Sequence, residues 1–352
     1  MSRIETFDLR PGYRMSRVIR GGWQLAGGHG AVDRAQAIAD LVACAEAGIV
    51  TFDCADIYTG VEELIGAFRS DYARSHGTEA LARVKVHTKC VPDLELLPRI
   101  KKADVSAIID RSLLRLRQER LDLVQFHWWD YAVPGCLETA HWLDELRREG
   151  KIDLLGGTNF DTDHVEGFAA AGITMVSMQV QYSLLDQRPE QGFIETCRRH
   201  GVQLLCYGSI AGGFLGERWL GVPEPRAPLE NRSLTKYKLI IDDFGGWPLF
   251  QELLRVLQVI AVRHAVDIAS VASRCILDRP QVAGVIVGAR NSSHLAANLR
   301  IGSLRLADQD RSEIAAVLSR RRGPAGDVFA LERDRAGRHG AIMKYNLNAR
   351  PS

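Results

Sequence analysis

A chain of 352 residues, 46% of them hydrophobic, can bury one large core or two smaller ones, and its formal net charge of +2 gives no reason to expect nucleic acid or an anionic membrane as the main partner. No stretch approaches the ~20 apolar residues of a membrane span, and the first residues, MSRIETFDLRPGYR, are too polar for a signal peptide. The seven cysteines form no Cys-x-x-Cys pair and read as reduced thiols, so the expectation is a cytoplasmic globular protein.

In chain order, short apolar runs alternate with helical periodicity. Residues 18–26 (VIRGGWQLA) read as a strand running into a glycine-rich turn, and 33–47 as a helix between Asp33 and Gly48. Strand 49–53 precedes helix 61–74; strand 84–89 precedes helix 104–117; strand 121–127 precedes helix 136–150. The beat continues with strand 152–159, helix 162–170, strand 174–180, helix 190–199 and strand 202–209. A longer helical region covers 248–277, then come strand 282–289 and helix 292–300. Eight strands, each followed by a helix, point to the α/β class and a single (β/α)8 TIM barrel over residues 1–320. One interruption, between Ile210 and Trp247, is rich in Gly, Pro and charge. It follows the seventh strand, where long loops build the ligand mouth of such barrels. The charged C-terminal tail, 321–352, is either disordered or folded over that mouth.

Catalytic groups of such barrels sit where strands end. The second strand ends in Asp53, and the turn after it carries Tyr58; the third ends in Lys89 and the fourth in His127. Singly, each has a plain explanation: a turn-capping Asp, a packed Tyr, a solvated Lys, a core His beside Trp128 and Trp129. Together they suggest proton chemistry. A lysine against a tyrosine favours phenolate and lowers its pKa from about 10, and Asp53 would hold the ammonium in place. Tyr58 could then protonate a carbonyl oxygen as hydride reaches the carbon, with His127 donating a hydrogen bond to the same oxygen. The ten histidines include no His-x-His or His-Glu-x-x-His, so no metal site is expected. There is no Gly-x-Ser-x-Gly elbow, and paired-carboxylate glycosidase chemistry leaves Tyr58 and Lys89 unexplained.

TFDCADIYTGVEELIGAF (51–68) resembles the F-D-T-A-D-x-Y-G…S-E-x-x-L-G signature of the aldo-keto reductase superfamily, with Cys54 for Thr and Val61 for Ser. LDLVQFHWWD (121–130) is similar to its L-D-L-x-x-x-H motif. The resemblance implies a catalytic tetrad of Asp53, Tyr58, Lys89 and His127. GGTNF (156–160) resembles G-x-S-N-F, which implies that Thr158, Asn159 and Gln179 hold a nicotinamide carboxamide and that Tyr207 stacks on the ring. The backbone of Gly208, Ser209, Ile210, Ala211 and Gly212 would face the pyrophosphate. VGARNSSHLAANL (287–299) is similar to P-G-A-R-N-x-x-Q-L-x-E-N. That match assigns Gly288, Arg290, His294 and Asn298 to the adenosine end, with Arg290 on the 2′-phosphate. Gly22 and Trp23 resemble G-T-W and would touch the cofactor. Trp23, Tyr58, His127 and Trp128 would line the substrate cleft. The implied activity is NADP-dependent hydride transfer between NADPH, rather than NADH, and a small aldehyde or ketone. The rival reading is a nicotinamide-binding redox sensor or regulatory subunit with little turnover. Oligomeric state is open.

Overall fold

The barrel strands are β3 (Val18–Gly21), β4 (Thr51–Asp53), β5 (Lys85–Cys90), β6 (Leu121–Phe126), β7 (Ile152–Thr158), β8 (Ser177–Gln181), β9 (Gln203–Tyr207) and β10 (Val282–Gly288). They pair in parallel in chain order, and β10 closes the ring by pairing with both β9 and β3. The computed structural model describes residues 4–27, 30, 32–288 and 291–348. Ahead of the barrel, β1 (Thr6–Arg10) and β2 (Tyr13–Ser16) form an antiparallel hairpin. Its Leu9, Tyr13 and Met15 pack against Ile19, Leu123, Leu154, Leu205 and Ala283, closing one end of the barrel.

The helices outside the barrel begin with α1 (Arg34–Glu46), α2 (Val61–His76), α3 (Thr78–Arg83), α4 (Lys102–Leu116), α5 (Cys136–Arg148), α6 (Thr162–Ala170) and α7 (Phe193–Arg199). Asp33 and Asp161 cap α1 and α6 by accepting from the backbone N–H groups of Gln36 and His164. Gly66 marks the crossing of α2 and α4, where a Cβ would lie 2.0 Å from the carbonyl oxygen of Arg115.

Several elements differ from the sequence reading. The first barrel strand stops at Gly21, and a 3-10 turn, Trp23–Leu25, follows it. Residues 174–176 precede β8, and α7 starts at Phe193 after a separate turn, Arg188–Glu190. The glycine- and charge-rich interruption contains α8 (Arg232–Phe244). The single helical region expected over 248–277 is α9 (Trp247–Arg263) and α10 (Ile268–Leu277), broken where Asp267 caps the second. After β10 a short turn, Ser292–His294, leads into α11 (Leu295–Ser303), and α12 (Asp308–Leu318) packs on α9. Among the described residues no single helix is long and apolar enough to cross a membrane.

The chain after α12 runs back across the mouth. It carries α13 (Ala330–Arg333) and places Phe329, Ile342, Met343, Lys344 and Leu347 on the cleft. Its anchors are polar. Glu332 accepts from Arg188 at 2.9 and 3.1 Å, Arg188 also pairs with Asp186 at 2.7 Å, and Lys236 stands 3.7 Å from Glu332. Arg333 lies over the Tyr131 ring, 3.6 Å from its centre, and donates to the carbonyl oxygens of Trp128, Trp129 and Asn159. Asn348 donates to Asp56 and to the Val91 carbonyl.

Candidate active site

Side chains of a strand alternate between its two faces. Along β6 this puts Leu123, Gln125 and then His127 inside the barrel, where Leu123 joins the interior cluster and Gln125 reaches Asp53. Asp53 and Lys89, from the ends of β4 and β5, meet the same space. Lys89 donates to Asp53 Oδ2 at 2.7 Å and to the Cys54 carbonyl at 2.8 Å. The other carboxylate oxygen of Asp53 accepts from Gln125 at 3.1 Å and from Gln179 at 2.6 Å. Tyr58, from the turn after β4, brings its ring centre within 5.0 Å of the Lys89 nitrogen, and Trp23 meets that ring edge-on at 5.0 Å. His127 faces the Thr158 carbonyl with Nδ1 at 3.0 Å.

Burial alone would lower the Lys89 ammonium, but Asp53 outweighs it and holds the group above its ordinary pKa, so it stays charged. The Tyr58 phenol moves the other way from the sequence expectation. Burial raises it most, Lys89 pulls it down, Asp53 adds a smaller upward push, and the net shift is upward because burial outweighs the lysine. Tyr58 is therefore an acid at neutral pH. Burial, with the positive charge of Arg333, pushes His127 down to about 3, so its ring is neutral. A carbonyl can only accept, which assigns the single ring proton to Nδ1 and leaves Nε2 as an acceptor.

These residues line a cleft of about 660 Å³ at the mouth, within the range of about 300–1,000 Å³ usual for cofactor and small-molecule sites. Trp23, Thr158, Asn159, Gln179, Tyr207, Gly208, Ile210, Gly212, Gly288 and His294 also line it. Tyr207 donates to Asn159 Oδ1 at 2.9 Å. Gly208 and Gly212 have φ of +74° and +64°, and a Cβ on either would strike Tyr237, so bare backbone faces the trough there. Such a wall of backbone groups fits a pyrophosphate, and the donors of Asn159 and Gln179 fit a carboxamide.

Other assigned residues fall elsewhere. Ser209 is fully buried beside Ser273, at 3.1 Å between hydroxyl oxygens, and Ala211 is buried in the core under α8. Gly22 is pressed against Asp53, whose carbonyl accepts its N–H at 2.7 Å, and does not line the cleft. Asn298 lies on α11 away from it. Trp128 is not a substrate wall: it is wholly buried, donates to the Val133 carbonyl at 3.1 Å and packs on Phe126. Trp129 lines the cleft instead, edge-on to His127 at 4.4 Å. Parity beyond β6 would have given this, since 127 and 129 share a face and 128 does not. The assignment to Arg290 lies outside the described residues. Sequence reasoning missed Gln125, Lys236 and the roof residue Phe329, whose ring stands 5.7 Å from His127. Among the described residues no cluster of His, Cys, Asp and Glu could hold a metal ion.

The sequence model of the Aldo/keto reductase family matches residues 17–319. The chain belongs to this family. It is 26% identical to the aldo-keto reductase YhdN of Bacillus subtilis (strain 168) over 314 residues, 87% of this chain and 91% of that protein. It is 25% identical to the NADH-specific methylglyoxal reductase of Escherichia coli (strain K12) over 337 residues, 87% and 96% of the two. The fold is similar to that of the glycerol dehydrogenase AKR11B4 from Gluconobacter oxydans, with a TM-score of 0.70 at 22% identity, covering 92% of this chain and 97% of that one. Membership carries with it an oxidoreductase fold built to use a nicotinamide.

Proposed function

We propose that the protein is an NADP-dependent carbonyl reductase whose general acid is Tyr58. The observation that carries this reading is the buried ammonium of Lys89, fixed between Asp53 and the Tyr58 ring. A nicotinamide held by Asn159, Gln179 and Tyr207 would supply hydride to a carbonyl carbon, or take it from an alcohol. Tyr58 gives its proton to the carbonyl oxygen, and Lys89 stabilises the phenolate left behind. In the opposite direction the same phenolate accepts the alcohol proton. Asp53, itself held by Gln125 and Gln179, keeps Lys89 in place and acts on the reaction only through it.

Tyr58→Phe removes the proton and little else. Its kcat for aldehyde reduction should fall by about 10²–10⁴, the usual contribution of a general acid, while NADPH affinity measured by fluorescence quenching stays within about threefold. A large loss of nucleotide affinity with intact fold would refute the assignment. A wild-type protein that binds NADPH tightly and turns over no carbonyl would favour a sensor. The buried ammonium of Lys89, held by Asp53 beside the Tyr58 ring, supports the enzyme.

A further inference from the structure

A groove of about 510 Å³ lies on the outside of the barrel, between the start of α1 and the outer faces of α2 and α4. Arg34, Arg111, Arg115 and Arg117 line it, with one carboxylate, Glu63, and one apolar side chain, Leu114. Among the described residues only Arg115 has acidic partners there, Glu63 at 3.2 Å and Glu62 at 3.3 Å. Arg34 donates to the Glu63 carbonyl oxygen and Arg117 to the Ser70 hydroxyl, and neither they nor Arg111 pair with a carboxylate. The whole chain is nearly balanced, with 45 basic against 43 acidic residues, so three such arginines around one groove are a local excess.

Helix stability does not account for them. Cations in the last turn of a helix offset its dipole, which covers Arg115 and Arg117. Arg111 lies before that turn, and Arg115, four residues on, repels it. Leu114 shares their face of α4 and is 80% exposed, more than any other large hydrophobic side chain among the described residues. An exposed leucine alone is ordinary surface. Inside a cationic groove it adds an apolar anchor to charges that lack partners.

We propose that this groove docks an acidic peptide segment of a partner protein. A bulky apolar residue of the segment sits on Leu114, and carboxylates on either side pair with the arginines, whose planar forks match two oxygens at once. A small anion would use the arginines and leave Leu114 idle. The inference stands apart from the carbonyl-reductase reading.

A display library of random peptides, about twelve residues long, tests this without a known partner. It is selected on the full-length protein and counter-selected on the double variant Arg111→Glu, Leu114→Ser. Both replaced side chains are exposed, so the variant should melt with the wild type. The surviving peptides should carry Asp or Glu around a Leu, Ile or Phe. One of them, labelled with fluorescein, should bind the wild type at least about tenfold more tightly than Arg111→Glu and about fivefold more tightly than Leu114→Ser. Raising NaCl from about 0.05 to 0.5 M should weaken it about tenfold, while about 10 mM inorganic phosphate at constant ionic strength should not displace it. No enrichment over the variant, or enriched sequences without acidic residues, overturn the inference. Affinity unchanged by Leu114→Ser, or displacement by phosphate, makes the groove a plain anion site and overturns it as well. So does wild-type self-association, seen by sedimentation, that Leu114→Ser abolishes, because the occupant is then a second copy of this chain.

Discussion

Glu332→Gln changes one buried charge in the roof and almost no volume. In the wild type, burial would raise the Glu332 carboxyl, but Lys236 and Arg188 outweigh it and hold it at about 2, against an ordinary 4.5. Removing one partner from a buried pair typically costs ~3–5 kcal/mol. Because Arg188 keeps Asp186, the low end is the better figure. The roof can lift while the barrel stays folded, so the loss should appear as local opening. Amide hydrogen exchange reads this directly. The N–H groups of Arg333 and Asp334, bonded to Phe329 and Ala330, should exchange about a hundredfold faster in the variant. KM for the carbonyl should rise as Phe329 leaves His127. The pH dependence has a definite sign. A carboxyl depressed in the folded state stabilises above its unfolded pKa and loses that contribution as pH falls through the folded value. Wild type and variant should therefore diverge most above pH ~5 and converge towards pH ~2. Exchange at 333 and 334 within threefold of wild type, in a folded variant, would refute this account of the roof.

Two further substitutions probe the scaffold and the cofactor. Gly66→Ala forces a methyl into the Arg115 carbonyl, where backbone and not a flexible side chain must yield. It should cost about 1–3 kcal/mol or more and lower Tm by several degrees; an unchanged melting curve would mean that α2 and α4 do not cross so closely. Arg290→Ala should weaken NADPH far more than NADH in a binding titration, as loss of a guanidinium on the 2′-phosphate requires. Equal effects on the two nucleotides would place that contact elsewhere.

The barrel was legible because each strand is an apolar run of its own and each helix begins or ends on a residue with an evident role, Asp33 and Gly48 around α1 for example. The reactive residues were legible for the same reason: a parallel barrel sends all its strand ends to one rim. What stayed hidden lacked an apolar signature. The hairpin of β1 and β2 turns an exposed, charged face outward and buries little of β1 beyond Leu9. Helix α8 lies inside a stretch whose composition reads as loop. The roof is tethered by Arg188, Glu332 and Arg333, charges that on sequence grounds belong in solvent and that become intelligible only when their partners, far away in the chain, are seen. The direction of the Tyr58 shift was misread because burial, which the sequence does not reveal, outweighs the lysine.

The seam between β3 and β10 has a consequence for how the molecule is assembled. Val18 pairs with Val285, so the earliest barrel strand keeps an unpaired edge until the latest has been made and has found it. Pairings this distant form slowly, and a waiting edge is a template for the wrong neighbour. The segment that roofs the cleft comes later still in the chain. A truncated or nascent product can thus hold Asp53, Tyr58 and Lys89 well before it has a closed wall around them, which ties the appearance of activity to the last step of folding.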